Sequence, residues 1–167
     1  MEGYRKTLWG LFALFLVANM AYLHRVPGLL GDEASEGENV YELLTSEDIT
    51  VTGERSYIGP AIDYLRVPFV GLFGYSVLAL RVPMLLFSIA TFWLAAFVLR
   101  KQFGDTISLF ALTFFAFAPQ YILYQRLGWA ITLFPFLTFS ILWLFQQYWK
   151  TKWVWIGLAA GLGLANH

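Results

Sequence analysis

Apolar residues gather into long runs along the chain, with short polar stretches between them. A membrane-spanning helix needs about 20 predominantly apolar residues to cross roughly 30 Å of hydrocarbon. Four runs approach that length and a fifth begins near the end of the sequence: residues 7–23, 82–99, 106–123, 129–149 and 153–167. The pattern predicts an all-α, polytopic transmembrane protein in which residues 1–167 form one membrane module.

The fifth run is incomplete as a span. Its 15 residues would form a helix of about 22 Å, which is shorter than the hydrocarbon core. Because a natural protein rarely ends halfway through a span, we expect the sequence to belong to a longer chain. Gly157, Gly161 and Gly163 resemble the small residues of helices that pack closely against a neighbour. A further part of the chain, or a membrane protein partner, is therefore expected to cover this helix.

Basic residues predict the orientation of the spans. They precede the first run, separate the second from the third and separate the fourth from the fifth: Arg5, Lys6, Arg100, Lys101, Lys150 and Lys152. All six lie on one side if each run crosses once, and the positive-inside rule makes that side cytoplasmic. Residues 24–81, with nine acids and four arginines, then form a loop outside. We expect an integral protein of a prokaryotic plasma membrane with a cytoplasmic N terminus.

The outer loop has its own helical pattern. Residues 33–44 predict a short helix along the membrane surface, with Asp32 as its N-cap. Residues 49–55 predict a turn or an extended piece. Residues 58–80 are apolar but interrupted by prolines and charges, which favours an interfacial or re-entrant helix pair. The alternative, a sixth span, would break the distribution of basic residues.

Composition narrows the class of protein. The chain is 59% hydrophobic and 13% charged, well outside the range of soluble domains. Its net charge is zero, so nothing indicates a nucleic-acid partner. The absence of cysteine excludes disulfides, thiolate metal sites and a cysteine nucleophile. The two histidines, His24 and His167, lie in different regions, and no metal site can be read from the sequence.

Two pairs of neighbouring charges are candidates for chemistry. Asp32 and Glu33 lie at the start of the predicted surface helix, where a carboxylate could act as a general base on an acceptor hydroxyl or amine. The alternative is that Asp32 only caps the helix and Glu33 lies in its first turn. Asp63 and Arg66 have i, i+3 spacing and are predicted to form a structural ion pair on one helix face.

Two arginines lie at the outer ends of predicted spans. Arg126 follows the third run and Arg81 precedes the second. A guanidinium group matches phosphate oxygens in a bidentate manner, so either residue could bind a lipid phosphate. The alternative is that the side chain snorkels to the membrane surface. For Arg126 the two interpretations are equally supported, and for Arg81 snorkelling is favoured.

The order of short motifs resembles the N-terminal part of GT-C glycosyltransferases. It is most similar to the protein mannosyltransferase and aminoarabinose transferase superfamily, which uses polyprenyl-phosphate sugars. The matching stretches are Gly31–Ala34, Asn39–Leu44, Tyr57–Pro60 with Tyr64, Leu72–Pro83, Phe103-Gly104, Ala118-Pro119, Gln125–Trp129 and Ala160–His167. The resemblance implies that Asp32 is the catalytic base with Glu33 beside it in the site. It also implies a lipid-linked sugar donor, for which Arg126, Tyr57, Tyr64 and Arg81 are the candidate binding residues.

One feature departs from the family pattern. Many relatives carry an acid shortly after the arginine of the Arg-x-Gly-Trp stretch, whereas Ala130 follows Trp129 here. The rival to a glycosyltransferase is therefore a non-catalytic GT-C-like subunit within a larger membrane complex. The retained Asp32 and Glu33 favour the enzyme. A transporter would have more intramembrane charge or broken helices at the membrane midplane.

Overall fold

The computed structural model describes residues 2–45 and 61–148, together with Gly157 and Gly161. Within these residues the secondary structure is entirely helical, which confirms the predicted fold class at that level. The elements are α1 (Glu2–Met20), α2 (Gly31–Thr45), α3 (Ala61–Phe73), α4 (Val77–Phe117), α5 (Pro119–Arg126), a 3₁₀ turn (Ala130–Thr132) and α6 (Leu133–Tyr148). The predicted fifth run, 153–167, lies outside the described residues apart from the two glycines.

Helix α4 is a helical hairpin. Gly104 has φ 82° and ψ −178°, a conformation that glycine adopts without steric cost. The Ser108 hydroxyl lies 3.4 Å from the carbonyl oxygen of Ala96. Twelve residues of continuous helix would separate these groups by about 18 Å, so the chain reverses at Gly104. The reversal falls between the second and third predicted runs.

Helix α1 packs against this hairpin through one face. The inward residues recur at helical spacing, which brings them to the same side of α1. The cluster contains Tyr4, Leu8, Phe15, Phe92, Ala95, Ala96, Leu112 and Ala116. The Tyr4 hydroxyl also lies 3.2 Å from the hydroxyl of Ser108, and the ring of Phe12 lies 4.8 Å from that of Trp93. Apolar and aromatic burial therefore joins α1 to both halves of the hairpin.

Among the described helices, the α4 hairpin, Val77–Phe117, contains a stretch that is long and apolar enough to cross a membrane by length and composition. The segment Leu133–Gln147 of α6 is also apolar but shorter. In α1 the first predicted run is helical only as far as Met20, beyond which the chain forms turns. Crossing of the membrane by each of the five predicted runs stays a prediction.

The predicted surface helix exists but begins earlier than expected. The N–H of Ala34 donates to the carbonyl of Leu30 at 2.9 Å, so Leu30 is the residue before the first turn and α2 begins at Gly31. The prediction that Asp32 is the N-cap is therefore wrong. Asp32 and Glu33 both lie in the first turn, since the backbone hydrogen bonds of α2 begin at the carbonyl of Leu30, and Glu33 there forms a buried ion pair with Arg81.

A second short helix follows in the segment that is predicted to form the outer loop. Helix α3 ends at Phe73 and is followed by Gly74, whose φ is 66°. Ser76 then caps α4, accepting a hydrogen bond from the N–H of Ala79 at 3.4 Å. The described part of the predicted helix pair, residues 61–80, contains one separate helix, α3, and the first turn of the long helix α4. Its interfacial or re-entrant placement stays a prediction. The predicted turn at 49–55 lies outside the described residues.

Candidate functional site

Glu33 and Arg81 form a fully buried, bidentate ion pair between α2 and α4. The Nε and Nη2 atoms of Arg81 lie 2.6 and 2.7 Å from the two carboxylate oxygens of Glu33, and both side chains are 0% exposed. The other N–H groups of Arg81 donate to the carbonyls of Leu23, Pro27 and Gly28, at 2.8, 2.9 and 3.2 Å. All five donors of the guanidinium are therefore used inside the protein.

Gly128 links this ion pair to a second group of charges. Its N–H donates to Oε1 of Glu33 at 2.9 Å, and its carbonyl accepts a hydrogen bond from Nη2 of Arg66. A Cβ atom at this position would lie 2.8 Å from the same Glu33 oxygen. The connection between α5 and the 3₁₀ turn thus contacts α2 and α3 through one residue that has no room for a side chain.

The second group of charges confirms the predicted pairing of Asp63 with Arg66. Nη1 of Arg66 lies 3.1 Å from Asp63, and Nη2 lies 2.5 Å from Glu36. Asn39 donates to the other oxygen of Asp63 at 3.4 Å. Burial raises the pKa of the Asp63 carboxyl to about 6; Glu36 adds to this rise, whereas Arg66 and Asn39 oppose it. The pair is buried between α2 and α3.

Asp32 differs from its neighbour in exposure. Its side chain is exposed, whereas that of Glu33 is completely buried. Asp32 also lies in the first turn of α2, where the unpaired N–H groups and the helix dipole favour a negative charge. The structure therefore presents one carboxylate of the predicted catalytic pair at the surface and fixes the other inside.

Arg126 forms hydrogen bonds with the C-terminal end of α1 and with the connection that follows it. It donates to the carbonyl of Ala18 at 2.6 Å, to that of Val26 at 2.7 and 3.0 Å, and to that of Ala21. The snorkelling interpretation is wrong for Arg126 and for Arg81, because both side chains point into the protein toward carbonyls that lack helical partners. These contacts leave the predicted donor-binding roles untested.

The structure describes one of the two tyrosines that are predicted to bind the donor. Tyr64 lies on α3 and is 41% exposed. Tyr57 lies outside the described residues. Among the described residues, no group of three or more histidine or acidic side chains could hold a metal ion.

A cavity of about 360 Å³ lies between the α4 hairpin, α5 and α6. Its lining is neutral and mostly apolar, and includes Ser88, Thr91, Phe115, Tyr121, Tyr124 and Gln125. Gln125 is 4% exposed, and neither polar atom of its side-chain amide has a hydrogen-bond partner in the described protein. Gln125 precedes Arg126 at the end of α5.

Sequence reasoning missed three residues of this site: Glu36, Gln125 and Gly128. Glu36 lies one helical turn after Glu33, so an i, i+3 signal placed both acids on one face of α2. Gly128 lies within the Arg-Leu-Gly-Trp stretch, where a glycine between two large residues was the available signal. Nothing in the sequence indicated that the side-chain amide of Gln125 would be buried without a hydrogen-bond partner in the described protein.

Comparison with known proteins identifies a family. The family model described as dolichyl-phosphate-mannose-protein mannosyltransferase matches residues 58–166, which is more than half of the chain and includes Arg66, Arg81 and Gly128. No curated protein and no solved structure matches the chain. The match confirms the predicted resemblance to GT-C glycosyltransferases, and members of this family are membrane proteins. The chain belongs to the dolichyl-phosphate-mannose-protein mannosyltransferase family.

Proposed function

We propose that the protein is a membrane glycosyltransferase that transfers a sugar from a polyprenyl-phosphate-linked donor to an acceptor on the non-cytoplasmic face of the membrane. The observation that carries this proposal is the contrast between Asp32, which is exposed in the first turn of α2, and Glu33, which is buried and fully bonded. Family membership supports the reaction class. The acceptor is a hydroxyl or amine on a lipid, a protein or a glycan.

Asp32 is the proposed general base. It takes the proton from the acceptor while the acceptor's oxygen or nitrogen attacks the anomeric carbon of the sugar. The bond between that carbon and the phosphate oxygen breaks, and the electron pair leaves with the polyprenyl phosphate. Both oxygens of Glu33 already accept N–H bonds from Arg81, and Oε1 accepts a further one from Gly128. We therefore assign Glu33 to holding Asp32 in place.

The donor phosphate is proposed to lie near Arg126. Among the described residues, Arg126 donates to backbone carbonyls and has no carboxylate partner, unlike Arg66 and Arg81. Its positive charge is therefore not neutralised locally, which favours an anion nearby. Tyr64, Tyr57 and Arg81 are proposed to contribute to the same region, with Arg81 acting through Glu33.

The hydrocarbon chain of the donor is proposed to use the cavity beside α5. No charged side chain lines this cavity, so it suits the apolar part of a ligand rather than the phosphate. The positive-inside pattern supports the orientation in which α2 and α3 lie on the non-cytoplasmic side and the loop between the α4 halves lies in the cytoplasm.

The test uses the full protein reconstituted in lipid vesicles with radiolabelled polyprenyl-phosphate mannose and native membrane extract as the source of acceptors. We expect transfer of the label, and we expect Asp32→Asn to slow it by about 10²-fold or more. Glu38→Gln is the matched control, because Glu38 is exposed on the same helix. An Asp32→Asn rate equal to that of the wild type would exclude the mechanism. No transfer by folded wild-type protein would favour the non-catalytic subunit.

A further inference from the structure

We infer that Gly128 is a positioning residue for this reaction: its backbone holds the first turn of α2, and thereby the carboxylate of Asp32, in the productive place. The inference rests on the proposed function. Gly128 itself lies in the connection between α5 and the 3₁₀ turn, outside both helices. It touches neither the donor nor the acceptor in this scheme and acts through Glu33.

Space, rather than backbone conformation, requires a glycine at this position. The glycines with positive φ among the described residues are Gly74 and Gly104, so Gly128 has a backbone that other residues could adopt. A Cβ at Gly128 would lie 2.8 Å from Oε1 of Glu33 and 3.0 Å from Cβ of Leu80. The missing side chain is what allows the N–H of Gly128 to approach the carboxylate.

Glu33 cannot move aside without losing its other bonds. Its two oxygens lie 2.6 and 2.7 Å from the guanidinium of Arg81, which is itself fixed by three carbonyls. A methyl group at Gly128 would therefore push the carboxylate and turn the start of α2. Asp32 is the preceding residue in that turn, so its carboxylate would move as well.

The carbonyl of Gly128 adds a second anchor. It accepts a hydrogen bond from Arg66, which also contacts Glu36 and Asp63. Glu36 lies in α2 and Asp63 in α3. One residue thus joins both buried charge groups, and the start of α2 is held on two sides. Since a misplacement of about 1 Å can cost 10²-fold in rate, this attachment is expected to matter for turnover.

The test compares Gly128→Ala, Glu33→Asp and the double variant Gly128→Ala/Glu33→Asp with the wild type in the reconstituted full protein. We expect Gly128→Ala to lower kcat by about tenfold or more with a smaller change in the KM for polyprenyl-phosphate mannose. Glu33→Asp shortens the side chain by one methylene and removes the close contact with the new methyl group. Because Glu33→Asp also draws the carboxylate away from Arg81, it lowers kcat by itself, and in its background Gly128→Ala is expected to lower kcat by less than it does in the wild type.

Gly37→Ala is the matched control. A Cβ at Gly37 would lie 3.2 Å from the flexible end of Leu80 and would not reach Glu33, so kcat should stay at the wild-type value. Each variant is checked for folding by thermal unfolding and size-exclusion chromatography before its rate is compared.

The outcomes separate the two proposals. Wild-type activity in folded Gly128→Ala would overturn the positioning role and leave the proposed function intact. An inactive wild type would remove the proposed function itself. If Gly128→Ala does not fold, the Glu33→Asp background decides: a double variant that folds and transfers as well as Glu33→Asp alone supports the inference, and one that loses folding or transfer relative to Glu33→Asp alone overturns it.

Discussion

Glu33 and Arg81 are 48 residues apart in the sequence and form a bidentate ion pair from which water is excluded. The pair joins the first turn of α2 to the start of the helix that is long and apolar enough to cross a membrane. A buried ion pair is not in itself evidence of high stability, because both charges lose their hydration. Its value here is geometric, since it fixes where the neighbouring Asp32 lies.

Breaking this ion pair should destabilise the protein strongly. Glu33→Gln removes the negative charge and leaves the guanidinium of Arg81 buried without a counter-charge, so we expect a loss of about 3–5 kcal/mol in the free energy of unfolding. Chemical unfolding in detergent micelles, followed by tryptophan fluorescence, measures this change. Glu38→Gln, on the exposed face of the same helix, should change it by less than about 0.5 kcal/mol.

A double-mutant cycle completes that test. The double variant Glu33→Met/Arg81→Met removes both charges. It should lower the free energy of unfolding by less than the sum of the losses in Glu33→Met and Arg81→Met, because neither charge is left unpaired. If the effects of the single variants simply added, the two side chains would not be energetically coupled.

The pH dependence of stability should carry a contribution from Asp63. Burial raises its pKa from 3.8 to about 6, so between these values the folded state binds more protons than the unfolded state. The free energy of unfolding therefore falls as the pH rises through this window. We expect Asp63→Asn to remove that part of the slope, measured by chemical unfolding at several pH values between about 4 and 7.

Asp105→Asn is the control for that measurement, because Asp105 is exposed at the turn of the hairpin and pairs with Arg100 at the surface. An unchanged slope in Asp63→Asn would contradict the assignment of this titration to Asp63.

Features of the fold that depend on local sequence could be predicted. The hairpin at Gly104 follows from two apolar runs separated by a basic pair and a glycine, and the pairing of Asp63 with Arg66 follows from their i, i+3 spacing. Both signals lie within a few residues of the feature that they predict, so no knowledge of distant contacts was needed.

The orientation of the two arginines could not be predicted in this way. The partners of Arg81 include the carbonyls of Leu23 and Gly28, and those of Arg126 include the carbonyl of Ala18. These acceptors are backbone groups 53 to 108 residues away. Because every residue has a backbone carbonyl, the sequence does not indicate which carbonyls will accept these hydrogen bonds. The contact of Gly128 with Glu33, 95 residues away, was hidden for the same reason.

The reversal at Gly104 should depend on its glycine. Gly104→Ala places a side chain at φ 82° and ψ −178°, a backbone conformation that essentially only glycine adopts and that costs other residues about 1–3 kcal/mol, and the free energy of unfolding should fall by that amount. Gly71→Ala is the matched control. Gly71 lies within α3 with no atom near its missing Cβ, so alanine should be neutral or stabilising by up to about 1 kcal/mol. Equal effects of the two substitutions would argue against a conformational requirement at Gly104.

Arg126 allows the structural role and the proposed donor-binding role to be separated. Arg126→Met leaves the carbonyls of Ala18, Ala21 and Val26 without their donor, and we expect a loss of about 1–3 kcal/mol in the free energy of unfolding. Arg126→Lys keeps the charge but loses the planar fork, so it should bind fewer of these carbonyls and less of a phosphate. Under the proposed function, folded Arg126→Lys should raise the KM for polyprenyl-phosphate mannose several-fold.

The comparison with Arg25→Lys makes this last prediction specific, because Arg25 is exposed on the connection that Arg126 contacts and carries the same charge. A rise in KM for Arg126→Lys but not for Arg25→Lys supports a phosphate near Arg126. A reduced unfolding free energy with an unchanged KM would mean that Arg126 only holds the end of α1. The donor phosphate would then have to be bound by other residues.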